Sequence, residues 1–226
     1  MTLDAGDPTI DEAGLPVRPL PDGSDVRKAT PDDETEVIEA LAQGFYDDPL
    51  FRWLFPADDR RRDRNPRVFG LFYRRFWAPH EETYTTDHLA GAACWMPPGT
   101  AHLSVFAQLR ALPAMIRVFG GDFGRANTLL SAMDKGHPHD ADHYYLPAIA
   151  VRPEWQGRGF GAALLRPMLE RCDADGAPAY LEATSPRNRT LYERHGFTVR
   201  EELRAKDSPP FWAMWREPQP SSAATA

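Results

Sequence analysis

The sequence predicts a mixed α/β fold (an α+β mixed sheet): a mostly antiparallel sheet flanked by helices. Three observations lead there. Strand-like runs follow one another with turn signals between them, as in "TYTTD" before "LAGAACWMPPGT" and "FTVREELRAK" before "FWAMWRE". Such neighbours pair as antiparallel strands. One strand–turn–helix–strand unit, from "HYYLPAIAV" through "QGRGFG" to "PAYLEAT", supplies the single crossover that makes two strands parallel. The length of 226 residues and the 42% hydrophobic content suit one domain with a buried core.

Taken in order, residues 1–23 are rich in Pro, Asp and Gly, show no periodicity and read as a mobile tail. A single domain is expected over 24–217, followed by a flexible C-terminal tail over 218–226. "SDVRK" is a short strand. Thr30 is a candidate N-cap, with Pro31, Asp32 and Asp33 suited to a first helical turn. Val37, Ile38, Leu41, Ala42 and Phe45 share one helical face, and Pro49 sets a stop near Asp48. A second helix is expected from near Pro66, behind the basic run "RRRDR", which reads as a solvated face. After the hairpin, residues 101–136 form a helical insertion interrupted at Pro113 and at "GGDFG". A buried strand, the glycine turn and a helix to about Asp173 follow, with Pro167 inside it as an expected kink. "RNRTLYERHG" is a short helix.

A formal net charge of -7 and a pI near 5.5 argue against a nucleic-acid surface and permit a cationic small-molecule partner. Cys94 and Cys172 show neither ligand spacing nor a disulfide framework, which fits a reducing compartment. The N-terminus lacks the basic start and apolar centre of a secretion signal, and no stretch approaches the roughly 18 apolar residues of a membrane span. The expectation is a soluble, cytoplasmic protein with no membrane partner. "HPHDADH" brings His137, His139, Asp140, Asp142 and His143 onto one loop, and it reads as a polar ordering loop rather than a metal site. His195 ends the short helix, where a positive charge is favoured. A nucleophilic role for Cys94 would need a base that the sequence does not place.

The run "PEWQGRGFGAALL" carries the chemistry. A strand, a turn with Gly157, Gly159 and Gly161, and then a helix is the arrangement of an anion site, with free N–H groups and the helix dipole facing the ligand; a plain tight turn is the alternative reading of the same glycines. Arg158 can add a charge-assisted contact. No Lys-Ser/Thr pair follows, and the spacing is not that of a dinucleotide fingerprint.

"VRPEWQGRGFGAALL" resembles the acetyl-CoA pyrophosphate loop of the GNAT acetyltransferase superfamily, Gln/Arg-x-x-Gly-x-Gly/Ala, filled here by Gln156, Gly159 and Gly161. "PAYLEATSPRNRTLYERHGFTV" resembles the asparagine and tyrosine segment downstream, above all in the puromycin N-acetyltransferase branch, and "GAACWMPPGT" resembles that branch's third strand. The likeness covers residues 140–215.

The resemblance implies the GNAT fold, with seven strands and a parallel pair that splays so that the pantetheine arm lies between the strands. Ala148, Ile149, Ala150 and Val151 would then pair with that arm, a backbone N–H near Ile149 or Ala150 would polarise the thioester, and Gly157, Arg158, Gly159, Phe160, Gly161 and Ala162 would hold the pyrophosphate. Tyr192 fills the general-acid position, and Asn188, one turn earlier, would bind the cofactor arm. Glu182, mid-strand among apolar residues, is a candidate base; Asp47 and Asp48 are the second candidates and would also hold a cationic acceptor. The implied activity is acetyl transfer from acetyl-CoA to the primary amine of a small molecule by direct attack, without a metal, in a monomer or homodimer. A non-catalytic acyl-CoA-sensing module and a protein N-terminal or lysine acetyltransferase are the alternatives.

Overall fold

The computed structural model describes Leu20, residues 25–100 and residues 105–220. The expected tail over 1–23, but for Leu20, and the start of the 101–136 insertion lie outside the described residues, as do the last six residues.

One seven-stranded sheet runs through the molecule in the order β1 (Val26–Lys28), β2 (Thr83–Thr86), β3 (Gly91–Met96), β4 (Tyr144–Val151), β5 (Ala179–Ala183), β7 (Phe211–Arg216) and β6 (Thr198–Leu203). All neighbours are antiparallel except β4 and β5. Between the strands run α1 (Glu34–Gly44), α2 (Pro49–Leu54), α3 (Asp58–Phe72), α4 (Val105–Phe119), α5 (Phe123–Gly136), α6 (Phe160–Asp175) and α7 (Pro186–Glu193).

Strand alternation divides the core into two layers. Ala92, Cys94 and Met96 of β3 meet Val37, Ile38 and Leu41 of α1 and Phe69 of α3. Ala93 and Trp95 meet Leu164, Leu165, Met168 and Leu169 of α6 on the other face. A strand buried on both faces explains why β3 reads as an unbroken apolar run. Below β5 and β7, Tyr180 and Ala213 pack with Leu50 of α2 and Leu129 of α5.

Two irregularities prepare the site. Cys94 pairs with Ala148 but Met96 with Tyr145, so two steps on β3 oppose three on β4. This bulge at Leu146–Pro147 exchanges the faces: Tyr144 and Leu146 point towards α6 before it, Ile149 and Val151 after it. Beside the bulge, the parallel ladder stops at Leu146 opposite Leu181. β4 then follows β3 to Val151 and β5 follows β7 to Ala183, so the sheet forks. Pro147, at the fork, has no N–H to give to a ladder.

The helices depart from sequence expectation in four places. α1 ends at Gly44 instead of near Asp48, and a further short helix, α2, begins after Asp48. α3 starts at Asp58, eight residues before Pro66, which lies in its interior. Asp58 and Asp59 favour its N-terminus, Arg61 donates to the carbonyls of Phe55 and Pro56, and buried Asn65 donates to Ala42 O at 3.2 Å. These tertiary bonds outweigh the loss at Pro66. α4 likewise runs through Pro113 without interruption, while "GGDFG" does break the insertion, with a 3-10 turn at Gly120–Asp122. α6 continues past Pro167 to Asp175.

Candidate active site

From the fork, β4 leads through a 3-10 turn at Pro153–Trp155 into the glycine turn. Gln156 fastens the turn to the fork: its Nε2 donates to Val151 O at 3.0 Å, and its Oε1 accepts from Arg187 Nη1 at 3.4 Å. Gly157 and Gly159 have φ of +77° and +95°, and a Cβ on either would meet nothing within 4 Å. Backbone conformation, not crowding, requires glycine at these two positions. Gly161 lies inside the first turn of α6, where a Cβ would make an ordinary 3.4 Å contact with Leu191. Gly159 caps α6 and has no side chain to bond the first-turn N–H groups, so those of Phe160, Gly161 and Ala162 face outwards. Phe160 is buried and packs edge-on against Trp155 at 5.3 Å, while the Arg158 guanidinium lies over Trp155 at 5.5 Å.

A cleft of about 1860 Å³ joins these parts. Its walls include Ile149, Ala150 and Val151 of β4, the turn from Gly157 to Ala162, Asn188 and Tyr192 of α7, and Asp47 and Asp48. Arg166, Arg187 and Arg194 line it as well. Three residues expected at the site are not on its walls: Ala148 is packed against α1, Arg158 covers Trp155, and Glu182 lies behind the fork.

α7 starts at Ser185, whose Oγ accepts from Asn188 N at 3.2 Å, with Pro186 at the first helical position. Asn188 and Tyr192 are one turn apart and face the cleft together. Tyr192 is 5% exposed. Burial, and then the negative charge of Asp48, raise its pKa, so the phenol keeps its proton.

Asp48 is buried. Its Oδ1 caps α2 by accepting from Leu50 N at 2.9 Å and Phe51 N at 3.3 Å, and its Oδ2 accepts from Thr184 Oγ1. Burial pushes its pKa up to about 6 against the opposing pull of these three donors. Asp47, the residue before it, is 77% exposed at its side chain and pairs with Arg52 at 3.3 Å. Glu182 has a 3% exposed side chain; its Oε2 accepts from Tyr145 OH at 2.9 Å, and His137 Nδ1 lies 4.0 Å from its Oε1.

Three further expectations concern residues outside this cluster. His195 donates from Nδ1 to Leu191 O at 2.8 Å, and burial, aided by Arg194, Arg216 and Arg166, lowers its pKa. Both effects disfavour the positive charge expected at this helix end, against the opposing pull of the Leu191 carbonyl. Cys94 is fully buried, and burial pushes its thiol up to about 12, unfavourable for a nucleophile. Among the described residues no group of three His, Cys, Asp or Glu side chains is arranged to hold a metal ion.

Sequence reasoning missed Thr184 and Arg187. Neither has a periodic signature; each matters through a partner distant in the chain, Asp48 and Gln156 respectively.

A forked sheet whose gap opens onto an uncapped helix N-terminus offers strand-edge and N–H partners of the kind an extended anionic ligand needs. The chain belongs to the acetyltransferase (GNAT) family, whose sequence profile matches residues 38–197. It is 30% identical over 205 residues to an uncharacterized N-acetyltransferase of Schizosaccharomyces pombe, covering 85% of this chain and 83% of that one. A Corynebacterium glutamicum crystal structure described as histone acetyltransferase HPA2 and related acetyltransferase is similar at 27% identity and a TM-score of 0.67, over 87% of this chain and 97% of that one. The arylalkylamine N-acetyltransferase 2 of Aedes aegypti shares the fold at 13% identity, with a TM-score of 0.59 over 87% and 99% of the two chains. The family takes its acetyl group from acetyl-CoA. The outward N–H groups of α6 and the unpaired edge of β4 fit the diphosphate and the amide-bearing arm of that donor. No helix among the described residues is long and apolar enough to cross a membrane.

Proposed function

We propose that the protein acetylates the primary amine of a small molecule, with acetyl-CoA as donor, by direct attack in a ternary complex. One observation carries this reading: a buried phenol, Tyr192, and a buried carboxylate, Asp48, line the same cleft close enough for the charge of one to act on the other. Acetyl transfer needs this pair. Asp48, ionised at neutral pH, takes the proton that the amine sheds as its nitrogen bonds to the acetyl carbon. Tyr192 gives its proton to the sulfur as the carbon–sulfur bond breaks. Thr184 holds the Asp48 carboxylate in place. Asp47, exposed at the rim, draws in a cationic acceptor. The N–H groups of Phe160, Gly161 and Ala162 hold the diphosphate; Ile149, Ala150 and Val151 pair with the arm; Asn188 steadies it. The base role expected of Glu182 passes to Asp48, which lines the cleft where Glu182 does not.

The test is thiol release from acetyl-CoA with a panel of primary amines. Puromycin comes first because of the resemblance of "YLEATSPRNRTLYERHGFTV" to that branch. Tyr192→Phe is expected to lower kcat about a hundredfold and leave acetyl-CoA binding unchanged. Unchanged turnover would remove the acid role. Tight acetyl-CoA binding without release for any amine or peptide would point instead to a sensing module.

A further inference from the structure

The parallel ladder between β4 and β5 ends at Leu146 opposite Leu181. Tyr145 lies just before that rung on β4 and Glu182 just after it on β5, and their side chains bridge the strands at 2.9 Å. The bond therefore stands where the backbone ladder gives out. Burial and the neighbouring Glu182 charge raise the Tyr145 pKa well above that of a free phenol, so its hydroxyl stays a donor.

Glu182 is backed by a row of imidazoles. His137 stands edge-on to Tyr145 at 4.8 Å and to Tyr180 at 4.7 Å, with Nδ1 turned to Glu182 Oε1 at 4.0 Å. Its Nε2 meets His143 Nε2 at 3.0 Å, and His143 Nδ1 meets Ala141 O at 2.7 Å. A carbonyl only accepts, so His143 Nδ1 carries a proton, and the contact between the two Nε2 atoms holds one more. The row thus leads from a fixed carbonyl to the Glu182 carboxylate, whose Oε1 makes no hydrogen bond among the described residues. Burying such a group is costly, and Glu182 does not line the cleft, so it does not reach the reacting atoms.

We infer that the Tyr145–Glu182 bond is a clasp that sets the width of the fork, with His137 packed behind the carboxylate and against the Tyr145 ring. Tyr145 and Glu182 are positioning residues: they fix how far β4 stands from β5, and hence where the donor's thioester sits. This rests on the reading of the fork as the donor slot.

The test titrates CoA calorimetrically into the full chain as wild type, Tyr145→Phe, Glu182→Gln and Glu182→Ala, with steady-state kinetics on any amine the panel yields. Tyr145→Phe keeps the ring and removes the bond; Glu182→Gln keeps an acceptor for Tyr145 and turns an N–H to His137. Tyr145→Phe and Glu182→Ala are expected to weaken CoA binding about tenfold, and Glu182→Gln to stay within about threefold of wild type. The KM for acetyl-CoA should rise in the first two while the KM for the amine stays put. Wild-type affinity in Tyr145→Phe would overturn the clasp. So would equal loss in folded Glu182→Gln and Glu182→Ala, or a rise of both KM values together. If Glu182→Ala does not fold, the other two variants decide. A wild type that fails to bind CoA refutes the donor-slot reading itself, before any variant is compared.

Discussion

Asp47 and Asp48 are neighbours in sequence with opposite surroundings. Asp47 reaches into solvent towards Arg52, while Asp48 is enclosed under α2 and bonded to Thr184. A folded pKa of about 6 for Asp48 exceeds the ordinary carboxylate value. Between the two values the folded chain binds a proton that the unfolded chain does not, so this residue's contribution to stability falls as pH rises from 4 to 6. The expected size is on the order of 2–3 kcal/mol. Other carboxylates titrate in the same window, so the quantity to compare is the difference between wild type and Asp48→Asn in urea denaturation at pH 4 and pH 7. The asparagine keeps an acceptor for the α2 cap, and the variant should gain relative stability as pH rises. Activity has the opposite slope: wild-type kcat/KM should fall below about pH 6, and Asp48→Asn should be slow and lose that limb. A profile flat to pH 5 would take the base role from Asp48. The sequence could not separate the two aspartates, because the partner that distinguishes them lies 136 residues away. That Tyr192 and Asn188 share one side of α7 was legible because their relation is local, one helical turn; the roles expected of them came from the resemblance alone.

Gly157, Gly159 and Gly161 looked alike in sequence, but the structure gives them different places: two before α6 and one in its first turn. Gly157 and Gly159 turn the backbone through the left-handed region; Gly161 does not, and the protein leaves room for a methyl group there. Gly159→Ala should cost about 1–2 kcal/mol of stability from strain alone. Gly161→Ala should keep or slightly raise the melting temperature, since alanine favours a helix, and yet weaken CoA binding by bringing a methyl group towards the diphosphate. Calorimetric melting beside CoA titration separates these outcomes; unchanged affinity in Gly161→Ala would mean that the ligand does not approach that position. The elements whose signals are local, the hairpin, the crossover and the Thr30 cap of the turn before α1, were readable in advance. The start of α3 was not, because Pro66 is a strong local breaker, while Arg61 ties the helix to the preceding turn and Asn65 ties it to α1, 23 residues away. The β4 bulge was hidden too: its cause is the match with β3, which no property of "LPAIAV" alone reveals.

Across the whole molecule, charge is uneven. The chain carries -7, yet Arg166, Arg187 and Arg194 line the cleft, on whose walls Asp47, Asp48, Glu170 and Asp173 also lie. An acidic exterior repels CoA at a distance, and the arginines attract it at close range. Salt screens both, but the short-range contacts dominate the bound state. CoA affinity should therefore fall several-fold between about 50 and 500 mM NaCl, with Arg187→Ala flattening the dependence. An affinity that rises with salt would show that the net charge governs instead.

The fork also divides the sheet. Its two half-sheets, β1–β4 and β5–β7, share only the short ladder from Tyr144 to Leu146. A ligand seated between β4 and β5 takes the place of a missing strand and stitches the halves together; when it leaves, the outer end of β4 becomes the weakest seam. Limited proteolysis of the full chain should therefore be slower with CoA present than without it, and an unchanged cleavage rate would show that the ligand does not join the two halves.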